Sequence, residues 1–394
     1  VSFETVWSSA FNDASVPYAV GSGFSLKHGV DGGALFRLPK DDASYEVATG
    51  SLDRDSIGEL KSTVLVDRDP DMEKTQIHDY FTATLTPSAD GHYYIVGNPF
   101  VAQMDVAGFL EDNEDVLKQR YWAATAAGDP MTAAADGEGQ WVTSTGTTQL
   151  LPPYGAFYVE AVDGVDGPLT VKFYGERQQL KGWTAPGTGT TQAAALTVAC
   201  RSAAGTSTAA VRCTPDAADG FGTGDVQLVR GLTADVSQPT VYTVAGATAV
   251  TVDSRGRGGQ VPLGVYAPDG MVSTLTFTGV AALEGARLYD AQTRSERTLH
   301  EGDAVTVDGP SHGRYFLRFD GAGTTGIATA TPAAGANIYS VQPGEIIVAA
   351  TETLTGVDVY TADGRHVRSL RPTDVTTLRI GDLPAAVYVV RAAT

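Results

Sequence analysis

Residues 357–370 read VDVYTADGRHVRSL, and this stretch decides the fold class. Two runs of strand-forming residues flank Asp363-Gly364, where the glycine supplies the positive φ angle that a tight hairpin turn demands. The chain as a whole has a similar composition, with 45 glycines, 19 prolines and 42% hydrophobic residues. We therefore predict an all-β protein of tandem antiparallel β-sandwiches, jelly-roll or Ig-like in type, with one short helix.

The length of the chain implies more than one domain, because 394 residues exceed one ordinary core. Two segments rich in small and turn-forming residues, 179–195 and 321–336, are predicted to be linkers. They delimit an aromatic-rich β-sandwich over 1–178, an antiparallel β-sandwich over 196–320 and an Ig-like terminal domain over 337–394. The middle domain shows short strand-like runs separated by turn residues at the spacing of a sandwich.

One segment of the first domain departs from the strand pattern. Asp105 is a suitable N-cap, and Val106, Phe109 and Leu110 follow it at helical spacing, with acidic residues on the other face. This spacing predicts a short amphipathic helix over 105–117 that lies across a sheet.

The charge balance excludes some partners. The chain has 27 Lys and Arg against 46 Asp and Glu, a net charge of −19, so we expect no nucleic-acid partner. No apolar run reaches the roughly 18 residues of a membrane-spanning helix, which predicts no membrane span. The sequence starts at Val1 without a basic and apolar leader, so we expect any export signal to have been removed or to lie outside the given sequence.

The terminal domain resembles a known family. Residues 357–367 follow a strand pattern V-x-V-Y-x-x-x-G-R-x-V, and residues 383–391 read LPAAVYVVR. Both patterns are similar to those of the C-terminal sorting domain of cargo proteins that the bacterial type IX secretion system exports. Ala386 stands where that family usually has glycine. The motif residues are Gly364, Arg365, Leu383, Pro384 and Tyr388.

The resemblance implies a cellular location and a domain architecture. The stretches HYYIVGNPFVAQMDVAGFLEDN and AVRCTPDAADGFGTGDVQLVRGL look like the tandem β-sandwich tail of large surface proteins of the same bacteria. The chain is then expected to be secreted or attached to the outer cell surface and to contact the export machinery through residues 337–394. It would be a non-catalytic module that presents or anchors an N-terminal region and acts in adhesion, with a surface glycan or protein as ligand.

The two cysteines, Cys200 and Cys213, lie in LTVACRSAAGTSTAAVRCTPD, which reads as two strands joined by a turn rich in Gly, Ser and Thr. In one register of this hairpin the thiols face each other, and a disulfide there would contribute about 3 kcal/mol in the chain-entropy model. The alternative is two small buried side chains. A catalytic cysteine is disfavoured because no histidine is near in sequence.

The densest acidic stretch is VDRDPDMEKTQIHD, in which Asp67, Asp69, Asp71 and Glu73 occupy alternate positions. Oxygen ligands at this spacing can wrap a Ca²⁺ ion, although Pro70 departs from the EF-hand loop. The alternative is a solvated charged loop. Calcium is the one cofactor that the sequence suggests.

A second acidic group contains Asp216, Asp219 and Asp225, in the glycine-rich turn PDAADGFGTGD. Aspartates in such turns accept hydrogen bonds from nearby backbone N–H groups more often than they bind metal. We predict a capping role for them.

Exposed aromatic residues suggest a second function. Trp141 lies between polar runs, Trp183 lies in a Gly/Pro-rich segment, and Tyr154 lies in LPPYG, so each is a candidate for stacking on a sugar ring. The alternative function is therefore a glycan-binding accessory portion of a polysaccharide-degrading enzyme. Against it, aromatic residues at strand spacing usually fill sandwich cores.

No pattern in the chain predicts catalysis. The six histidines are scattered, without the spacing of a metal-binding motif, and no G-x-S-x-G sequence is present. We assign no catalytic residues and expect any catalytic domain to lie upstream of this chain.

Overall fold

The computed structural model describes a large part of the chain after residue 79, with gaps. The described residues are 80–87, 92–100, 103–125, 128–135, 140–146, 150–152, 155–174, 177–179, 193–215, 217–218, 220–230, 232, 237–256, 258–320, 336–342, 344–350, 352–384 and 386–394.

These residues form an all-β structure, as the sequence predicts, with several sheets and one α-helix within the described ranges. The Ig-like or jelly-roll type of the sandwiches stays a prediction. The early strands are β1 (Tyr80–Leu85), β2 (Tyr93–Gly97), β3 (Gln103–Met104), β4 (Leu117–Ala124), β5 (Pro130–Ala135), β6 (Trp141–Thr143), β7 (Ala156–Ala161), β8 (Leu169–Tyr174) and β9 (Gln178–Gln179). The helix α1 (Val106–Glu111) lies between β3 and β4.

The remaining strands belong to the rest of the chain. They are β10 (Leu196–Ser202), β11 (Gly205–Cys213), β12 (Val226–Gln227), β13 (Thr240–Ala245), β14 (Thr248–Arg255), β15 (Gly259–Tyr266), β16 (Val272–Thr278), β17 (Arg287–Asp290), β18 (Ser295–Thr298), β19 (Ala304–Asp308), β20 (Ser311–Phe319), β21 (Ala336–Gln342), β22 (Glu345–Ala350), β23 (Gly356–Thr361), β24 (His366–Leu370), β25 (Thr377–Ile380) and β26 (Tyr388–Ala393). One 3-10 turn, Val280–Ala282, follows β16.

The chain divides into two compact units. The first unit takes residues up to Tyr121 together with Gln149–Thr190, and the second takes Trp122–Thr148 and Thr191–Thr394. The predicted linkers lie, apart from their end residues, outside the described residues, and the predicted domain boundaries stay a prediction.

The predicted helix is present, but it is shorter than expected. The Asp105 carboxylate accepts a hydrogen bond from the Gly108 N–H at 3.3 Å, as an N-cap does. The helix ends at Glu111, and the side chain of Asn113, just beyond it, bonds to the backbone of Lys172. The Asn113 side-chain NH₂ donates to the Lys172 carbonyl at 2.9 Å, and the Asn113 side-chain oxygen accepts from the Lys172 N–H at 2.7 Å. Leu117, expected at the end of the helix, begins β4.

Aromatic packing holds α1 in the first unit. The centroid of the Phe109 ring lies 4.8 Å from that of the Phe173 ring of β8 and 5.8 Å from that of the Phe157 ring of β7. β8 pairs antiparallel with β1, and β7 pairs antiparallel with β2. The apolar face of the helix is therefore buried against two strands, which stabilises a helix too short to persist alone.

The second unit is built on a run of ten strands in the order β18-β17-β20-β15-β13-β14-β11-β10-β16-β19. The pairs are antiparallel except that β11 and β14 are parallel. The side chains of these strands enclose one large core, whose most buried members include Leu196, Val198, Cys200, Val211, Val241, Val265, Leu275 and Phe277.

The end of the chain extends the large sheet and adds one further sheet. β21 pairs in parallel with β14 and antiparallel with β22, and β22 pairs with β25. In the further sheet, β23 lies between β24 and β26. The predicted hairpin is confirmed: β23 and β24 are antiparallel, and Gly364 in the turn has a φ angle of 88°. A small core lies between the two sheets and contains Val348, Ala350, Leu354, Val357, Val359, Ile380 and Leu383.

Strand β22 is buried on both faces. Val348 and Ala350 point into the small terminal core, whereas Ile347 and Ala349 point to the other side. There they pack with Tyr242 and other residues of the preceding strands. The terminal residues thus have a core of their own and share a second core with the strands before them.

The cysteine hairpin has a different register from the one that would bring the thiols together. Its turn is the tight step between Ser202 and Gly205, so Cys200 faces Ser207 in β11. Cys213 lies beyond this ladder and pairs with Arg255 of β14. Both thiols are free, and burial raises the pKa of Cys200 to about 11, which leaves it unreactive.

Candidate functional site

Most of the predicted ligand residues fall outside the described residues. These are the calcium candidates Asp67, Asp69, Asp71 and Glu73 and the aromatic candidates Trp183 and Tyr154. The calcium site therefore stays a prediction. Within the described ranges, no group of three or more His, Cys, Asp and Glu side chains is arranged to hold a metal ion.

The expectation that Trp141 is exposed is wrong. Its side chain is only 1% exposed, in strand β6, and its backbone carbonyl accepts a hydrogen bond from the Ala193 N–H at 2.9 Å. A buried indole cannot stack on a sugar ring, so Trp141 is a core residue.

Asp225 has the capping role that the sequence predicts. Its carboxylate accepts hydrogen bonds from the Gly222 N–H at 2.8 Å and from the Ser254 N–H at 2.7 Å. Burial, with a smaller contribution from neighbouring Asp253, raises its pKa to about 7. Asp216 and Asp219 lie outside the described residues.

A cleft of about 1240 Å³ lies in the second unit. It lies between the ends of β15, β17 and β20 on one side and the segments that flank β22 and β25 on the other. The sequence did not predict this site, because its residues come from segments that are far apart along the chain.

A β-bulge in β20 shapes the base of the cleft. In the pairing of β15 with β20, Leu263 faces Tyr315 and Val265 faces Ser311, so β20 contains extra residues at this point. Gly313 lies within the bulge with a φ angle of 70°, and a Cβ atom there would overlap Ala349. Bulges commonly redirect side chains beside functional sites, and this one lets His312 point toward β13.

We call Tyr266, Ser311 and His312, which line the cleft, together with Tyr242, which is completely buried and contacts His312, the cleft floor. The Tyr242 hydroxyl and His312 Nδ1 share a hydrogen bond at 2.6 Å. Gly264 lies opposite Tyr242 in the neighbouring strand, and a Cβ atom there would overlap the tyrosine ring. Burial and the nearby Arg379 and Arg230 lower the pKa of His312 to about 4, so the imidazole is neutral near pH 7.

Two arginines flank the Tyr266 ring of the cleft floor. The Arg230 guanidinium lies 3.4 Å from the ring centroid and that of Arg379 lies 5.2 Å from it. Arg379 also pairs with the buried carboxylate of Glu345 at 2.8 Å. The faces of this aromatic ring are thus contacted by protein cations, which leaves little room for a sugar to stack there.

The rim of the cleft is acidic. Asp269, Asp308, Glu352 and Asp374 are exposed, and none of them has an ion pair or side-chain hydrogen bond among the described residues. Arg294 on the same rim is likewise unpaired within those ranges. The third arginine of the lining, Arg314, is neutralised by Asp290 at 2.9 Å.

Ser311 and His312 of the cleft do not form a nucleophile–base pair. Ser311 and His312 are neighbours in sequence, but the histidine nitrogen bonds to Tyr242 and not to the serine. The Ser311 Oγ atom is buried and has no hydrogen-bond partner in the described part of the chain. A nucleophile needs a base within hydrogen-bond reach, and Ser311 has none there.

The sorting-type residues lie at the end of the chain in the second unit. Gly364 and Arg365 are exposed in the turn between β23 and β24, and Pro384 is exposed as well. The Tyr388 hydroxyl donates to the Pro384 carbonyl at 2.7 Å, whereas Leu383 is buried in the small terminal core.

No α-helix among the described residues is both long enough and apolar enough to cross a membrane. Comparison of the chain with protein-family models, curated proteins and solved structures finds no match. The resemblance of residues 337–394 to a sorting domain therefore stays a prediction. The residues of this chain are the only basis for a functional inference.

Proposed function

We propose that the chain is a non-catalytic β-sandwich module of a secreted or cell-surface protein, which presents or anchors an N-terminal region and contributes to adhesion. Residues 337–394 act as its export unit and contact the secretion machinery. The observation that carries the proposal is the exposure of the motif residues Gly364, Arg365 and Pro384 at the surface of the small terminal sandwich.

The packing of the motif agrees with a recognition role. Leu383 is buried in the small terminal core, and the Tyr388 hydroxyl donates a hydrogen bond to the Pro384 carbonyl. Arg365 makes no side-chain contact among the described residues that would explain it as a structural residue. An exposed charged side chain at a tight turn is free to contact a receptor.

The shared core agrees with an anchoring role. Ile347 and Ala349 of β22 pack against Tyr242 of the preceding sandwich, so a force on the terminal sheet is transmitted to that sandwich through side-chain contacts. A module that holds an upstream region at a surface needs such a connection.

Export of the full chain tests the proposal. In a host with type IX secretion, and with a host leader peptide placed before Val1, we expect the chain to reach the cell surface or the medium. Arg365→Ala and Pro384→Ala should reduce the exported fraction at least fivefold without changing the unfolding temperature. Arg201→Ala, which removes an exposed arginine from β10, is the matched control.

Wild-type export by both motif variants would refute the sorting role of this unit. Trp141, one of the three aromatic candidates for the glycan-binding alternative, is buried and does not favour it. It still depends on Trp183 and Tyr154, and a glycan array that compares the full chain with Trp183→Ala and Tyr154→Ala tests it.

A further inference from the structure

The sheet β24-β23-β26 has two edge strands, and they differ in how they are protected. The pairing of β24 with β23 contains a register shift, and three arginines lie in or beside β24, namely Arg365, Arg368 and Arg371. β26 pairs with β23 in unbroken register, and the side chains of Val387, just before it, and Val389, within it, are 76% and 55% exposed. Bulges and charges usually keep a sheet edge from pairing with another chain. The edge of β24 has both features, whereas the edge of β26 is straight and largely apolar.

A groove lies beside this edge of β26. Within the described residues β23 is the only strand that pairs with β26, so every second residue of β26 directs its backbone N–H and C=O groups away from the sheet. The groove has a volume of about 360 Å³ and is lined by Tyr388 and Val390 of β26, Ile338 of β21 and Ile346 of β22. All four side chains are only partly buried. The two layers of the small terminal sandwich are therefore incompletely closed at this edge.

The edge and the groove together fit an extended peptide. A strand that pairs with β26 would satisfy the outward backbone groups, and its alternate side chains would enter the groove. Aliphatic side chains match a lining of Ile, Val and Leu. Ala247, in the turn between β13 and β14, also lines the groove, so the preceding sandwich borders it. This position favours a single extended chain over a bulkier occupant.

Arg391 selects the charge of such a peptide. Its exposed side chain alternates with Val390, so it points away from the groove, and it has no ion pair or hydrogen bond among the described residues. Asp358 lies directly opposite Arg391 in β23, but its carboxylate accepts hydrogen bonds from Ser369 at 2.6 Å and from Arg371 at 3.0 Å. An acidic residue of a strand added beside β26 would lie within reach of the Arg391 guanidinium.

We propose that the edge of β26 and the groove beside it bind an extended segment of a partner protein, with apolar residues at alternate positions and an acidic residue that pairs with Arg391. The segment adds a fourth strand to the sheet β24-β23-β26. The site goes beyond the proposed export role, because the purified chain binds the segment without any secretion machinery. Loss of export and loss of peptide binding are therefore separate results.

Titration of the full chain with a designed peptide tests this site. The probe is Thr-Val-Asp-Val-Thr-Val-Thr with blocked ends, for which we expect saturable binding of one peptide per chain by calorimetry. A peptide of the same composition with its three valines adjacent should bind about tenfold more weakly, because its apolar side chains no longer point to one side. Hydrogen–deuterium exchange at backbone amides of β26 should slow when the alternating peptide binds, since its carbonyl groups accept from them.

A charge exchange tests the contact with Arg391. Arg391→Glu should weaken binding of the alternating peptide about fivefold, and replacing the aspartate of the peptide with lysine should restore binding to this variant. Arg201→Glu, which changes an exposed arginine of β10, is the matched control and should leave the affinity nearly unchanged.

Filling the groove tests the apolar contact. Ala386 is exposed and lines the groove, so Ala386→Phe should weaken peptide binding about tenfold without lowering the unfolding temperature. Ala204→Phe, at an exposed alanine in the turn between β10 and β11, is the matched control and should bind like wild type.

Three results would each overturn the proposal: no saturable binding of the alternating peptide, equal binding of the rearranged peptide, or a loss in Arg391→Glu that the lysine peptide does not reverse. A dimer of the chain that Ala386→Phe dissociates would also overturn it and would assign the edge of β26 to a second copy.

Discussion

Two buried polar groups lie on opposite faces of strand β13, and their hydrogen bonding differs. On one face, Thr243 belongs with Asp253 and Arg255 to what we call the ion-pair cluster. On the other, the neighbouring residue Tyr242 belongs to the cleft floor. Successive residues of a strand point to opposite faces, so one strand holds both groups.

In the ion-pair cluster, the buried carboxylate is fully engaged. Asp253 is completely buried, and it accepts hydrogen bonds from Thr243 at 2.7 Å and from Arg255 at 2.6 and 2.9 Å. Arg255 also donates to the Val244 carbonyl. A cluster whose charges are all paired inside the protein has no need of a ligand, and its role is to fix how the strands pack.

The cleft floor differs in that one polar atom, Ser311 Oγ, is left without a partner in the described structure, beside a rim of unpaired carboxylates. The comparison therefore suggests a rule for this protein. Buried polar atoms with internal partners fix the packing of the strands, whereas the Ser311 hydroxyl contributes no hydrogen bond to the described part of the fold.

The largest effect is expected from Asp253→Ala. Removing the carboxylate leaves the Arg255 guanidinium buried without its counter-ion, which typically costs about 3–5 kcal/mol. Urea unfolding followed by circular dichroism measures this loss. A loss below about 1 kcal/mol would show that the ion-pair cluster does little to stabilise the packing of the strands.

The double variant Asp253→Leu with Arg255→Met is the control. Replacing both partners of a buried pair with apolar residues is often far less costly than removing one. We expect the double variant to recover most of the stability that Asp253→Ala loses, although the Val244 carbonyl loses one donor.

A smaller effect is expected from Gly264→Ala, which alters the cleft floor. A Cβ atom at this position overlaps the Tyr242 ring, so the ring must move away from His312. Overpacking of this kind costs about 1–3 kcal/mol. Gly259→Ala on the same strand is the control: nothing lies within 4 Å of the added atom, so urea unfolding should show little change. Equal losses in both variants would contradict the close packing of the cleft floor.

The two groups should also respond to pH with opposite signs. Asp225, which caps the backbone beside the ion-pair cluster, has its pKa raised from 3.8 to about 7. The folded protein then binds more protons than the unfolded chain between these values, so this group makes stability fall as pH rises from about 4 to 7. His312 has its pKa lowered from 6.5 to about 4, so its contribution makes stability rise with pH over about 4 to 6.5.

Single variants separate these opposing contributions. Relative to wild type, Asp225→Asn should make the free energy of unfolding rise more steeply with pH between 4 and 6.5, by up to about 1.4 kcal/mol per pH unit. His312→Asn should change the slope in the opposite direction. Urea unfolding at half-unit pH steps measures both slopes, and slopes that change in the same direction would contradict the assignment.

The sequence predicted local structure well where a signal was local. The Asp363-Gly364 turn and the Asp105 cap both depend on residues close together in sequence, and the structure contains both. The early end of α1 was not predictable, because Asn113 bonds to Lys172, which lies 59 residues away. The register of the cysteine hairpin could not be predicted for a related reason. Several small residues between its two strands allow the turn to form at more than one position.

The cleft could not be predicted from the sequence, because it depends on how distant segments pack. Tyr266, His312 and Asp374 line the cleft without sharing a sequence motif, and only the fold brings them together. Two local signals existed: a glycine inside the strand pattern SHGRYFLRF indicates a bulge, and another glycine lies within β15. Trp141 was predicted to be exposed because its neighbours in sequence are polar, but the packing of the strands buries its side chain.

The smallest effect is expected from replacing one buried serine of each group with alanine. This is also the most direct comparison of the two groups, because the substitution is the same in both. Ser254 Oγ, beside the ion-pair cluster, donates to the Gly224 carbonyl at 3.0 Å, so Ser254→Ala should cost about 1 kcal/mol. Ser311→Ala removes a hydroxyl that has no partner in the described structure, so it should change the free energy of unfolding by less than about 0.5 kcal/mol or stabilise the protein slightly. Both serines are buried, so the difference reports hydrogen bonding and not exposure. Equal costs from the two substitutions in urea unfolding would mean that the Ser311 hydroxyl stabilises the fold as much as the hydrogen-bonded Ser254 hydroxyl does.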